Sequence, residues 1–341
     1  MGKRKFSLIA GISILFLLIL AMSVNAVIAN GYTIFLPMIV KDKTFDPTPT
    51  ITQTVGYQKY KIEYEIETSS SRVWVPAPRF WDGKGLQSIS YLEISPEPLS
   101  LLREESGTEL FYWENNSGNV RIYRLILKIE LTYIDISSAY RIIFPVYNED
   151  EYIYKKNTES DENIQANSSE IYSMAKTIIG DEKNPYRQAK LIHKWMSDNI
   201  HYEPGDRDAL SVLHKRGGDC AGKAHLYIAF LRSIGIPARS VAGIHSPGSS
   251  ILQSGVWFPD KTMGYHVWTE FYLPDYGWAQ VDPGSSTFEK INEHRIITSK
   301  GTDIKVGHGF PIDTVSWLHL PYNTHHQIEN EPIRFNVTLI Q

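Results

Sequence analysis

The chain carries one cysteine in 341 residues, and that cysteine sits in Arg216-Gly217-Gly218-Asp219-Cys220-Ala221-Gly222-Lys223-Ala224-His225. Two glycines ahead of a thiol and a helical pattern behind it suit a nucleophile. The thiolate is the attacking species, and the unpaired amides and dipole at a helix N-terminus favour negative charge there. Gly217 and Gly218 are expected to let the chain turn sharply and to bring backbone amides close to a reacting carbonyl. Asp219 reads as the helix cap, although its carboxylate would oppose ionisation if it approached the sulfur. The competing readings of a lone cysteine are an intermolecular disulfide and an inert buried residue.

A cysteine nucleophile needs a base, and the base needs an orienting partner. Candidates stand in two runs with strand period, Tyr265 to Leu273 and Gly277 to Asp282. His266, Trp268, Glu270 and Tyr272 share one face of the first run; Trp278, Gln280 and Asp282 share one face of the second. A hairpin centred on Pro274 sets His266 opposite Asp282, with Cβ atoms about 5 Å apart. Asp282 then holds one imidazole nitrogen while the other faces Cys220, which makes a Cys-His-Asp triad. His225 lies about 140° around the helix from Cys220 and is expected to pack elsewhere. Tyr202 and Trp257 border the acyl site and read as packing. Glu270 reads as a structural ion-pair partner. Trp268 and Trp278 either shield the site or form cross-strand core pairs. His294, His308, His319, His325 and His326 show no metal-ligand spacing, so neither a metal nor a cofactor is expected.

The elements that must hold these residues follow an α+β order, helices first and antiparallel strands after. Ser168 caps a helix that Gly180 ends, and Asn184-Pro185 opens another with Ile192, Met196 and Ile200 on its inner face. The helix from Cys220 should bury Ala224, Tyr227, Leu231 and Ile234 and stop at Gly235 and Pro237. Ala238 to Gly243 reads as a strand, 245–264 as a polar loop and 148–167 as a loop between domains. Upstream, Tyr60 to Glu67 and Arg121 to Leu131 alternate with period two, with turn signals at Asp82-Gly83, Pro96-Glu97-Pro98 and Asn115 to Gly118. That texture predicts an antiparallel β-sandwich. The run Ile333 to Ile340 is a strand expected to complete the catalytic sheet or to bridge to the sandwich.

Composition narrows the function classes. Hydrophobic residues make up 42% and charged residues 21%, which suits a globular protein with a substantial core. The formal net charge is -4 with no basic stripe, so nucleic acid is excluded as a partner. Met1 to Lys5 is basic, Leu8 to Met22 is apolar, and Val24-Asn25-Ala26 offers small residues where a signal peptidase reads. The apolar run is shorter than the roughly 20 residues of a membrane span. Cleavage is therefore expected, with membrane contact only through this segment if it stays attached. The segments are 1–26 signal peptide, 27–55 linker, 56–150 β-sandwich-like domain and 160–341 catalytic domain.

Four blocks closely resemble the bacterial transglutaminase-like superfamily, a rearranged relative of the papain-like fold. They are Gly218-Asp219-Cys220, Leu231 to Arg239, His266-Val267-Trp268-Thr269-Glu270, and Gly277 to Pro283. The resemblance spans roughly 165–300 and implies Cys220 as nucleophile, His266 as base and later acid, and Asp282 as orienter. Arg72-Val73-Trp74-Val75-Pro76-Ala77-Pro78 adds a weaker likeness to the β domain that often precedes it in secreted members. The expected function is an exported enzyme transferring acyl groups from protein or peptide amides through a thioester. Hydrolysis is favoured over cross-linking, because water is abundant and nothing marks a dedicated lysine pocket. The rival is a non-catalytic cell-surface binding module that keeps the fold.

Overall fold

The computed structural model describes residues 26–29, 32–35, 53–77, 86–103, 106–245, 256–257, 264–286, 288, 290–291, 295–301, 304–305, 314–315, 322–323 and 333–340. The signal segment before Ala26, the tip of the 245–264 loop and the five scattered histidines lie outside them. Two units are present. The first, Met1–Phe45, contains an antiparallel hairpin of β1 (Ala26–Ala29) and β2 (Tyr32–Phe35). The rest belongs to the second, Asp46–Gln341.

That unit opens with β3 (Gln53–Thr68), β4 (Arg72–Ala77), β5 (Gln87–Ser95), β6 (Ser100–Arg103), β7 (Glu109–Glu114) and β8 (Arg121–Asp135). The period-two pattern decides which side chains go inside. Tyr60, Ile62 and Ile66 of β3 and Tyr123, Leu125, Leu127, Ile129 and Leu131 of β8 are all buried. They share a cluster with Val73 and Val75 of β4 and Phe111 and Trp113 of β7, which belong to a second sheet. Each such side chain removed from water contributes about 1.5–3 kcal/mol.

Helices follow: α1 (Tyr152–Thr158), α2 (Ser169–Ile179), α3 (Pro185–Asn199), α4 (Ala209–Lys215) and α5 (Cys220–Ser233). The expected caps are in place. Ser168 accepts from the Ile171 amide, Asn184 from Arg187, and Asp219 from Gly222. Gly180 and Gly235 take positive φ just past their helices. The stretch expected to be loop before residue 167 contains α1, whose seven residues are too few to show an apolar period. Helix α5 is buried on every side from Ala221 to Arg232, not only along Ala224, Tyr227 and Leu231, and Ile234 is only half-buried. It is the central rod of the core, between α2, α3 and α4 and a four-stranded sheet.

The later strands are β9 (His201–Tyr202), β10 (Gly217–Gly218), β11 (Ala238–His245), β12 (Val256–Trp257), β13 (Gly264–Leu273), β14 (Gly277–Val281), β15 (Lys290–Ile291), β16 (Arg295–Lys300), β17 (Ile304–Lys305), β18 (Thr314–Val315), β19 (Tyr322–Asn323) and β20 (Ile333–Ile340). The antiparallel order β14-β13-β11-β16 forms the sheet behind α5. Phe271, Leu273, Ala279 and Val281 face the helices, while Trp268 packs with Val241 and Ile297 on the other side. The chain then returns to its first strands. β20 runs antiparallel along β3 from Ile333↔Ile66 to Ile340↔Lys59, and β19 pairs with β4. Of the two outcomes open for the last strand, it takes the bridge.

Candidate active site

Cys220 is the first residue of α5, and the chain before it sets its position. α4 ends at Arg216, which takes left-handed φ +56. The sharp turn thus falls on Arg216 and not on the two glycines, neither of which has positive φ. Their smallness serves packing instead. A Cβ on Gly217 would lie 2.5 Å from Glu203 Oε2, and one on Gly218 would lie 2.9 Å from Val212 Cγ2. Gly217 and Gly218 pair in parallel with His201 and Tyr202. Asp219 caps α5, its Oδ1 accepting from the Gly222 amide at 2.9 Å. Its Oδ2 accepts from Arg207 Nε, also at 2.9 Å. The adjacent guanidinium offsets the carboxylate charge that would otherwise repel a thiolate.

The first turn of α5 packs on the sheet through Ala221 and Ala224 against Ala242 and Val267, with Cys220 at the edge of that cluster. This packing brings Cys220 beside His266. The imidazole is hydrogen-bonded to the Cys220 thiol on one side. On the other, its Nε2 donates to Asp282 Oδ2 at 2.8 Å. Burial works against charge on this ring and is the largest single influence. The Asp282 carboxylate and the Cys220 sulfur outweigh it and lift His266 to about 10. Burial likewise pushes Asp282 upward, but His266, Arg295 and the Gly284 amide hold it far below the usual carboxylate range. Gly284 N donates to Asp282 Oδ1 at 2.8 Å.

The structure therefore brings together Cys220, His266 and Asp282, although not in the expected register. The β13–β14 pairing runs Thr269↔Val281, Glu270↔Gln280 and Leu273↔Gly277, so the hairpin is centred on Asp275 and not on Pro274. Asp275 takes φ +57, a conformation an aspartate tolerates and a proline does not. Continued one step, the register sets Asp282 across from Trp268. His266 is then a diagonal neighbour on the same face. The displacement is two residues, an even number, so the facing survives.

The surrounding residues divide clearly. Trp268 stacks on His266 with ring centroids 5.9 Å apart, and its Nε1 donates to Gln280 Oε1 at 2.8 Å. It walls the imidazole. Trp278 lies under the Arg239 guanidinium at 4.0 Å. Glu270 is buried between Arg239 and Lys300, an ion-pair role. His225 is buried and donates from Nδ1 to the Arg207 carbonyl at 2.7 Å, away from the thiol. Tyr202 is half-exposed; burial raises its phenol first, and the charges of Cys220 and Asp219 add to that. The Trp257 side chain lies outside the described residues.

Three polar residues near Asp282 are not among those the sequence reading singles out. His193 on α3 donates from Nε2 to the Asp282 carbonyl at 3.1 Å. Lys223 on α5 is buried close enough to feel the Asp282 charge, although burial still lowers its pKa. Arg295 on β16 donates from Nη2 to Asp282 Oδ2 at 2.9 Å. Lys223 stands one helical turn from Cys220, a spacing that could have pointed to it. No local signal marks the other two.

A thiol at a helix N-terminus, facing an imidazole that a carboxylate holds, is the arrangement used in cysteine acyl transfer. Residues 172–283 match the family profile of the Transglutaminase-like superfamily. The chain is 38% identical over 111 residues to a protein-glutamine gamma-glutamyltransferase of Pseudomonas aeruginosa, covering 33% of this chain and 16% of that protein. It is 27% identical over 158 residues to an uncharacterized protein of Haemophilus influenzae, covering 41% of this chain and 43% of that one. The chain thus spans less than half the length of these curated relatives. Among solved structures it resembles a provisionally assigned cysteine protease of Cytophaga hutchinsonii. That match has a TM-score of 0.58 at 16% identity, over 85% of this chain and 93% of the other. At this identity the likeness is one of fold. Residues 172–283 therefore carry a transglutaminase-like domain.

Proposed function

We propose that the protein is an exported cysteine-dependent enzyme acting on protein or peptide amides, with Cys220 as nucleophile, His266 as base and acid, and Asp282 as orienter. The observation that carries this is the His266 ring, shared between the Cys220 thiol and the Asp282 carboxylate at the N-terminus of α5. The sulfur attacks the amide carbonyl, and the developing oxyanion meets backbone amides at the head of α5. One well-placed donor of this kind is worth on the order of 3 kcal/mol. His266, which stays charged well beyond neutral pH, gives its proton to the departing amine or ammonia and leaves a thioester on Cys220. Water or an amine then attacks the thioester, His266 takes the proton of the attacking group, and the sulfur departs. Water gives cleavage or deamidation; an amine gives cross-linking. Hydrolysis is the favoured outcome, since water needs no dedicated pocket. Export rests on the basic start and apolar run before Ala26.

The test is incubation with a mixed peptide library and a labelled amine, read by mass spectrometry. Wild-type protein is expected to release ammonia or cleaved peptide. Cys220→Ala should stay folded and lose that turnover at least a thousandfold, as nucleophile removal does elsewhere. Equal turnover by the variant moves the chemistry away from Cys220. A wild-type protein inert toward every peptide supports the binding module instead.

A further inference from the structure

Asp282 holds a second cation that the proposed mechanism does not use. Its Oδ2 accepts from Arg295 Nη2 at 2.9 Å as well as from His266 Nε2 at 2.8 Å, while Oδ1 accepts from Gly284 N. Arg295 comes from β16, at the opposite edge of the sheet from β14. It is 9% exposed, and among the described residues Asp282 is the acceptor its guanidinium meets; its Nε has no partner. A buried ion pair of this kind adds little stability over apolar residues of equal volume. What it does supply is direction, because a carboxylate with donors on both oxygens is not free to rotate.

The backbone is built to deliver this contact. Arg295 and Lys300 are five residues apart, so a regular strand would point them to opposite faces. The β11–β16 register runs Val241↔Lys300 and Ala242↔Ser299, then jumps to Gly243↔Ile297 and His245↔Arg295. Thr298 is the extra residue, and its Oγ1 donates to the Ala242 carbonyl at 3.1 Å. Such a bulge shifts the pairing by one and reverses the facing of everything beyond it. Lys300 therefore reaches Glu270 at 3.2 Å, and Arg295, on the same face, reaches Asp282. The bulge sits opposite Gly243, which pairs on its other side with His266. A Cβ on Gly243 would lie 1.9 Å from the Ile296 carbonyl oxygen, so only glycine admits this approach.

We propose that Arg295 is a positioning residue for the His266–Asp282 pair, pinning the carboxylate in line with His266 Nε2 by way of the β16 bulge. This rests on the reading of Cys220 and His266 as an acting pair. The charged and titratable groups around the Cys220–His266 pair are Asp282, Asp219 and Tyr202 beside Cys220, Lys223 from α5, His193 from α3 through the Asp282 carbonyl, and Arg295 itself.

The test needs no substrate. The rate of Cys220 alkylation by iodoacetamide is followed from pH 5 to 11 on the full chain, and its upper inflection marks loss of the imidazolium proton. Wild type is expected to inflect near 10. Arg295→Met should inflect at least one pH unit lower, with Arg295→Lys in between. Deleting a neighbouring cation would by itself move the inflection up, so a fall reports lost alignment. In an Asp282→Asn background, adding Arg295→Met should lower the inflection no further. Should Arg295→Met fail to fold, Arg295→Gln carries the same expectation of a lower inflection. A folded variant with the wild-type profile, or a further loss in the Asp282→Asn background, overturns the role of Arg295 alone. A wild-type thiol that alkylates like a free one, with no upper inflection, overturns the Cys220–His266 pair and Arg295 together.

Discussion

His266 is charged because a carboxylate and a sulfur defeat the cost of burying its ring, and that has a consequence for stability. Its folded-state pKa is raised, so its contribution is complete below the ordinary value of 6.5 and is lost as pH climbs through about 10. Asp282 moves the other way. Its contribution is complete above 3.8 and is lost as pH falls. The stability gap between wild type and His266→Ala, measured by urea unfolding, should therefore shrink steadily from pH 7 to pH 10. The change should be a few kcal/mol, since each tenfold gain in proton affinity on folding is worth about 1.4 kcal/mol. A gap that widens with pH contradicts the charged ring. The three residues of this site were legible because residue type and strand parity constrain them strongly. Arg295 was not, because its facing depends on one inserted residue, Thr298, which leaves no mark in the pattern of side chains.

At the scale of elements, helix caps and terminators were legible because they are local: Ser168, Asn184 and Asp219 each bond an amide three residues on. The hairpin centre was not, since Pro274 and Asp275 are adjacent turn formers and only the paired strands choose between them. The glycine pair before Cys220 shows the same limit. It is small because β10 is squeezed between α4 and the chain after β9, not because it turns. This sets a specific expectation. Gly218→Ala pushes a Cβ into Val212 Cγ2, a stiff β-branched side chain. Overpacking of this sort costs about 1–3 kcal/mol and should displace the start of α5. Adding Val212→Ala opens the space and should restore much of the urea midpoint and the alkylation rate of Cys220. If the double variant is as unstable as the two losses added together, steric contact is not the reason for the glycine.

At the scale of the whole molecule, the first strands and the four-stranded sheet behind α5 are joined through an edge. β16 ends the four-stranded sheet, so among the described residues one side of its backbone has no strand to bond. Two buried side chains, one from β5 and one from the turn before β7, stand in for that strand. Gln87 Nε2 donates to the Ile297 carbonyl at 2.8 Å while its Oε1 accepts from the Ile297 amide at 2.7 Å. Thr108 Oγ1 donates to the Lys300 carbonyl and accepts from the Lys300 amide, both at 3.0 Å. These contacts clamp the strand that carries Arg295 and Lys300, and with β20 lying along β3 they tie both ends of the unit together. Links across some 200 residues are invisible to local periodicity, so the pattern of strands was legible and their partners were not. Gln87→Leu keeps the volume and removes both bonds, leaving a buried amide and a buried carbonyl unpaired. Each orphaned group costs about 1–3 kcal/mol, so the urea midpoint should fall by about 2 kcal/mol or more of unfolding free energy. A surface glutamine would show almost no change, and a loss that small would mean that the edge of β16 is satisfied without Gln87.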